Sequence, residues 1–199
     1  MLNPSRPLIN IMTLHYMTHS SMYSFKDDLR EDGFTVTTIP VPTPSLKAKE
    51  FRAICDKDKC SGYKTNWGCP PGVGTLEETA ELLRSYSEAF LVRKKYMLDP
   101  KDLEATGAAS EDIAASCRRA ADRIRPFAKV KVLGCGKCRY CDICTYPDDE
   151  CRYPDQKIDS VSGYGLDIND MLEQIGSKLI FETDSMTTNV IILIGSVRS

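Results

Sequence analysis

The chain alternates short apolar runs with longer amphipathic stretches. Residues 34–39, Phe-Thr-Val-Thr-Thr-Ile, are β-branched and alternating, which predicts a strand. Residues 89–92 and 130–133 predict two more. Residues 190–194, Val-Ile-Ile-Leu-Ile, are apolar throughout, the mark of a strand covered on both faces. Helical patterns lie between. Thr75 with Glu78 makes a capping box, and Leu76, Leu83 and Tyr86 supply an apolar stripe behind it. Asp99-Pro100 predicts a helix start and Gly107 a break. A second helix then runs from Ser110, with Ile113, Cys117, Ala120, Ala121 and Ile124 on one face, until Pro126 ends it. A last helix is expected over residues 167–179, carrying Met171, Leu172 and Ile175. Residues 9–12 read as a short strand and 23–32 as a helix, and the prolines of residues 40–44 break structure. The sum is a single α/β (α+β) domain over residues 1–199: a mixed sheet of about four strands flanked by helices.

Composition changes little in that picture. The chain has 199 residues, 42% hydrophobic and 27% charged, as expected of a soluble globular protein. A net charge of −2 gives no bulk attraction to nucleic acid. No apolar run reaches the length of a membrane span, and residues 1–22 lack the basic start, apolar core and small-residue cleavage site of a signal peptide. A cytoplasmic protein is expected.

The cysteines change it a good deal. Nine thiols in a cytoplasmic chain point to metal or redox chemistry rather than to disulfides. Cys135, Cys138, Cys141 and Cys144 recur every third residue, and Cys151 follows seven residues later. A helix would spread these positions along a drifting stripe and a strand would throw them onto alternate faces. A loop wrapped round a compact inorganic core suits the spacing. The nearest physical template is the ferredoxin run, in which C-x2-C-x2-C embraces one cubane and a remote cysteine completes it. A second group, Cys55, Cys60 and Cys69, has gaps that fit no zinc knuckle, and Cys69 is followed by Pro70, like the crossing ligand of a ferredoxin run. The metal-binding segments are thus 55–71 and 135–154, expected as loops at one end of the sheet.

Cys117 falls on an apolar helix face and reads as a buried structural thiol. The remaining eight match two 4Fe-4S clusters of four ligands each. The expected partition joins Cys138, Cys141 and Cys144 to Cys69, and Cys55, Cys60 and Cys151 to Cys135. If Cys135 points elsewhere, one iron of the second cluster stays open. Zinc is the alternative metal, although two C-x2-C pairs only two residues apart close on a cubane more readily than on one tetrahedral ion.

Other features weigh less. Trp67 reads as a shield over a metal site or as plain core. His15 and His19, four apart with no third ligand nearby, read as surface residues. Residues 72–75, Gly-Val-Gly-Thr, lack the Gly-Lys-Ser/Thr ending of a phosphate cradle. Arg93, Lys94 and Lys95 read as a solvated strand end, with an anion or acidic-partner contact as the alternative. Lys137, Arg139 and Arg152 lie among the thiols, where cations stabilise a reduced cluster, or are ordinary surface charge.

With both cysteine groups in view, the chain resembles the predicted metal-binding proteins of the domain-of-unknown-function 2284 family over residues 50–175. The first motif is Cys55-x4-Cys60-x2-Tyr63-x3-Trp67-Gly68-Cys69-Pro70-Pro71. The second is Cys138-x2-Cys141-x2-Cys144-x6-Cys151-Arg152-x-Pro154, followed by Gly165-Leu166-Asp167-Ile168. The resemblance implies metal binding through Cys55, Cys60, Cys69, Cys138, Cys141, Cys144 and Cys151, and fixes no reaction. The chain departs from the pattern at Cys135 and at Gly163-Tyr164.

Three functions follow as expectations. The first is an electron-transfer module serving a redox partner protein, because no acid–base or nucleophilic constellation is visible. The second is an enzyme with an open-iron cluster, working in sulfur transfer or reductive chemistry. The third is a zinc-stabilised binding module.

Overall fold

The computed structural model describes residues 22–56 and 61–197. Cys60, His15, His19, the strand expected at residues 9–12 and the N-terminal segment read for a signal lie outside them.

The elements run α1 (Phe25–Glu31), β1 (Thr35–Ile39), α2 (Ala48–Ile54), α3 (Leu76–Arg84), β2 (Tyr86–Met97), α4 (Leu103–Ile124), β3 (Ala128–Gly134), β4 (Asp159–Ser160), a 3-10 turn (Ser162–Tyr164), α5 (Ile168–Gln174) and β5 (Ser185–Val197). The strands form one open mixed sheet in the order β1-β2-β5-β3-β4. Neighbours are antiparallel except β3 and β4, which pair in parallel.

Side chains alternate across a strand, so a sheet with helices on both faces needs apolar residues at every position. β5 meets that demand. Val190, Ile192 and Ile194 join one core with Phe25 and Leu29 of α1 and Ile113, Cys117 and Ile124 of α4. Ile191 and Leu193 join the opposite core with Leu83 of α3 and Met171 and Leu172 of α5. The mixed α+β expectation holds. The fifth strand, β4, is two residues long, too short for any periodicity to announce it.

Local chemistry set several boundaries. Thr75 Oγ1 accepts from the Glu78 N–H at 3.1 Å and Glu78 Oε2 from the Thr75 N–H at 2.7 Å, the expected capping box. Tyr86, expected on that helix, instead opens β2. Gly107 does not break the helix: α4 runs unbroken for 22 residues, with Asp102 Oδ1 accepting from two N–H groups at its start. One interior glycine costs about 1 kcal/mol, and the buried face of Ala109, Ile113, Cys117, Ala121 and Ile124 outweighs it. The last helix stops at Gln174, not 179, because Gly176 takes φ +68°. Among the described residues no helix is long and apolar enough to cross a membrane.

The 61–75 loop and the 135–157 loop meet beside β4. β3 delivers the chain to the loop of residues 135–157, which returns as β4 alongside β3. The 61–75 loop lies against that return: the Ser160 N–H donates to the Gly68 carbonyl at 2.7 Å.

Candidate metal centre

Cys138, Cys141, Cys144 and Cys151 line a common cavity with Asn66, Trp67, Tyr140, Tyr153 and Lys157. None of these thiols is in a disulfide. Spacing alone predicted the first three together. Cys151, expected beside Cys55, stands with them instead.

The roof comes from the other cysteine segment. The Trp67 backbone N–H points to the Cys144 sulfur at 3.5 Å. Its indole N–H donates to the Asp149 carbonyl at 2.9 Å, and its ring meets Tyr146 edge-on at 4.8 Å between centroids. Asn66 Nδ2 donates to the Cys138 carbonyl at 2.9 Å while its Oδ1 accepts from the Gly68 N–H at 2.8 Å. Gly68 is required by this closeness. A Cβ there would collide with the Ile158 carbonyl oxygen and reach the Cys138 Cβ at 3.1 Å.

The floor is cationic. Lys157 lines the cavity, donates to the Trp67 carbonyl at 3.3 Å and stands 3.0 Å from Asp159 Oδ1. That Oδ1 accepts no hydrogen bond of good angle, so the Lys157 contact is a charge pair rather than a directed bond. Lys131 reaches Asp159 Oδ2 at 2.5 Å, and the Tyr164 hydroxyl donates to the same oxygen at 2.9 Å. Asp159 is 1% exposed, so the pairing keeps its buried charge compensated. Burial lowers the Lys131 pKa, while Asp159 and then Cys151 oppose the shift. At the rim, Tyr140 and Tyr153 meet edge-on at 5.1 Å, and the Arg118 guanidinium covers Tyr140 at 5.0 Å.

Cys69 and Cys55 do not line this cavity. Both are buried, at 2% and 7% exposure. A Cβ on Gly62 would sit 2.6 Å from the Cys69 sulfur and 2.8 Å from the Lys137 Cβ, so only glycine lets the chain pass beside that thiol. The Cys55 sulfur lies 3.8 Å from the Ser162 hydroxyl. Arg52 sets the end of α2 that presents Cys55: its Nε donates to the Gly163 carbonyl at 2.9 Å and its Nη1 to that of Gly74 at 2.7 Å. Nothing in the sequence singled out Arg52, Asn66, Lys157 or Asp159; isolated polar residues, in loops or in short elements, carry no periodic signal.

Cys135 goes elsewhere. It lines a second cavity, where its thiol meets the backbone N–H of Asn189. Burial pushes its thiol up to about 11, and the Asn189 N–H works against the shift. Cys117 is fully buried on α4, and burial raises its pKa strongly, as expected of a structural thiol. Arg93, Lys94 and Lys95 are not freely solvated: Arg93 Nη1 donates to Ser177, Lys94 pairs with Asp112 and Lys95 with Glu182.

The donor set suits a soft metal. Thiolates select zinc, copper(I) or iron–sulfur clusters over hard cations. Among the described residues no three Cys, His, Asp or Glu side chains gather tightly enough to hold a bare ion. The family model described as "Predicted metal-binding protein (DUF2284)" matches residues 43–194. No curated protein and no solved structure matches the chain.

Proposed function

This chain belongs to the DUF2284 family of predicted metal-binding proteins, and from that premise we propose that it binds iron–sulfur clusters and carries electrons for a partner protein in the cytoplasm. The observation that carries the reading is the cavity lined by Cys138, Cys141, Cys144 and Cys151 beneath Trp67. A tetrahedral zinc draws its sulfurs to about 2.3 Å from one point. Four thiols suit either metal by number, and the C-x2-C-x2-C spacing of Cys138, Cys141 and Cys144 favours the cluster.

In this reading the four cavity thiols would hold one 4Fe-4S cluster. Cys55, Cys60 and Cys69 would serve a second. Such a cluster, when bound, takes up and returns one electron. The protein's residues set the terms. Trp67 lines the site and would shield it from water. Its backbone N–H stabilises sulfur charge at Cys144, and Lys157 supplies positive charge that favours the reduced state. Asp159 holds Lys157 in place.

A second reading, an enzyme with an open iron, draws on Cys135, which lines another cavity and leaves the second group with three thiols. The two readings differ in whether a substrate binds the iron that three thiols leave open, or a non-reacting ligand closes it.

Anaerobic purification with iron, acid-labile sulfide and zinc quantification tests the proposal, followed by a redox titration. Iron and sulfide in equal amounts with a reversible reduction are expected. Zinc without iron, or no reducible species, overturns it.

A further inference from the structure

Across Cys138 from the thiol-lined cavity lies the second cavity, between α4, the start of the 135–157 loop and β5. Cys138 lines both. From its lining we infer that this cavity is a binding site for a small hydroxy acid, a carboxylate that also carries a hydroxyl group.

Three observations converge. Asn189 lines the cavity at 4% exposure, and its Oδ1 is buried with no hydrogen-bond partner among the described residues. Its Nδ2 already donates to the Thr187 carbonyl at 3.4 Å, so flipping the amide would set oxygen against oxygen. A buried acceptor without a donor is destabilising, and a ligand hydroxyl would supply the missing donor.

Charge is the second. Lys137 and Arg139 line the cavity and make no ion pair among the described residues. The carboxylate present, Glu111, is engaged by Arg118 at 2.5 Å. Two cations therefore face the space uncompensated. Arginine and lysine so placed bind carboxylate or phosphate.

Backbone is the third. Gly134 and Gly136 line the same wall, and Gly136 takes φ +105° with nothing within 4 Å of where a Cβ would stand. Gly107 on α4 leaves room for Arg139, whose Nη1 lies 3.4 Å from its missing Cβ position.

The inference does not depend on which metal the neighbouring thiols hold. It is tested by equilibrium dialysis of radiolabelled glycolate and acetate against the full-length, anaerobically purified protein. The two acids share a carboxylate, but only glycolate offers a hydroxyl to Asn189. Saturable binding of one glycolate per chain is expected, with acetate roughly tenfold weaker or worse. Arg139→Gln, at an exposed position, should weaken glycolate by about tenfold. Asn189→Ala should erase the preference for glycolate over acetate. Equal affinity for the two acids, no saturable glycolate binding at millimolar concentration, or affinity untouched by Arg139→Gln overturns the inference. Metal content, measured on the same samples, reports separately on the cluster reading.

Discussion

The Trp67 backbone N–H points at the Cys144 sulfur, 3.5 Å away and 77 residues along the chain. This contact joins the two cysteine segments at a thiol of the shared cavity. A donor there lowers the energy of sulfur-borne negative charge and orders the loop before any metal arrives. Three predictions concern the surroundings of that contact, and a fourth the carboxylate that joins α4 to β2.

Cys144→Ser should lower iron content sharply, because a hydroxyl is a poor ligand for a cluster built on thiolates. Cys117→Ala is the control. It should keep full metal content and lose about 1 kcal/mol of stability from the small gap left in the core. Metal analysis and urea unfolding on both variants decide. In the native wild type, Cys117 should resist alkylation, being fully buried with its pKa raised.

Lys157→Gln should shift the reduction potential to more negative values, because the cation lining the cavity favours the reduced, more negative state. Iron content should stay unchanged. A redox titration matching the wild type would show that Lys157 does not act on the site through its charge.

Gly68→Ala should weaken metal retention. Its Cβ would push the Ile158 carbonyl and the Cys138 Cβ away, opening the contact between the two cysteine segments. Overpacking of this kind costs typically 1–3 kcal/mol. The check is the rate at which a chelator strips metal from the variant, expected to rise several-fold.

Asp112→Asn should flatten the acid limb of the stability curve. The Tyr96 hydroxyl at 2.7 Å holds the Asp112 carboxyl below its ordinary range, with Lys94 at 3.1 Å assisting. A carboxyl depressed in the folded state contributes stability above its unfolded pKa, near 3.8, and loses it as pH falls through the folded value. The stability difference between wild type and variant should therefore shrink below about pH 4. Urea unfolding of both proteins at several pH values reads it. A difference independent of pH would rule out this coupling.

The pattern of apolar residues determined the sheet, because burial of β5 on both faces leaves an unmistakable run at residues 190–194. Capping chemistry determined the start of α3, because Thr75 and Glu78 act within one turn. Thiol spacing likewise brought Cys138, Cys141 and Cys144 to one place, since residues three apart in a loop stay neighbours. The tertiary structure alone decided what distance along the chain hides. It set Cys151 with those three, turned Cys135 to another cavity, carried α4 through Gly107, and drew Trp67, Lys157 and Asp159 together. The physical reason is the same in each case. Local patterns report energies that neighbours share. A loop's orientation depends on packing partners 70 or more residues away, such as Asn66, which donates to the Cys138 carbonyl, and one-dimensional spacing does not encode them.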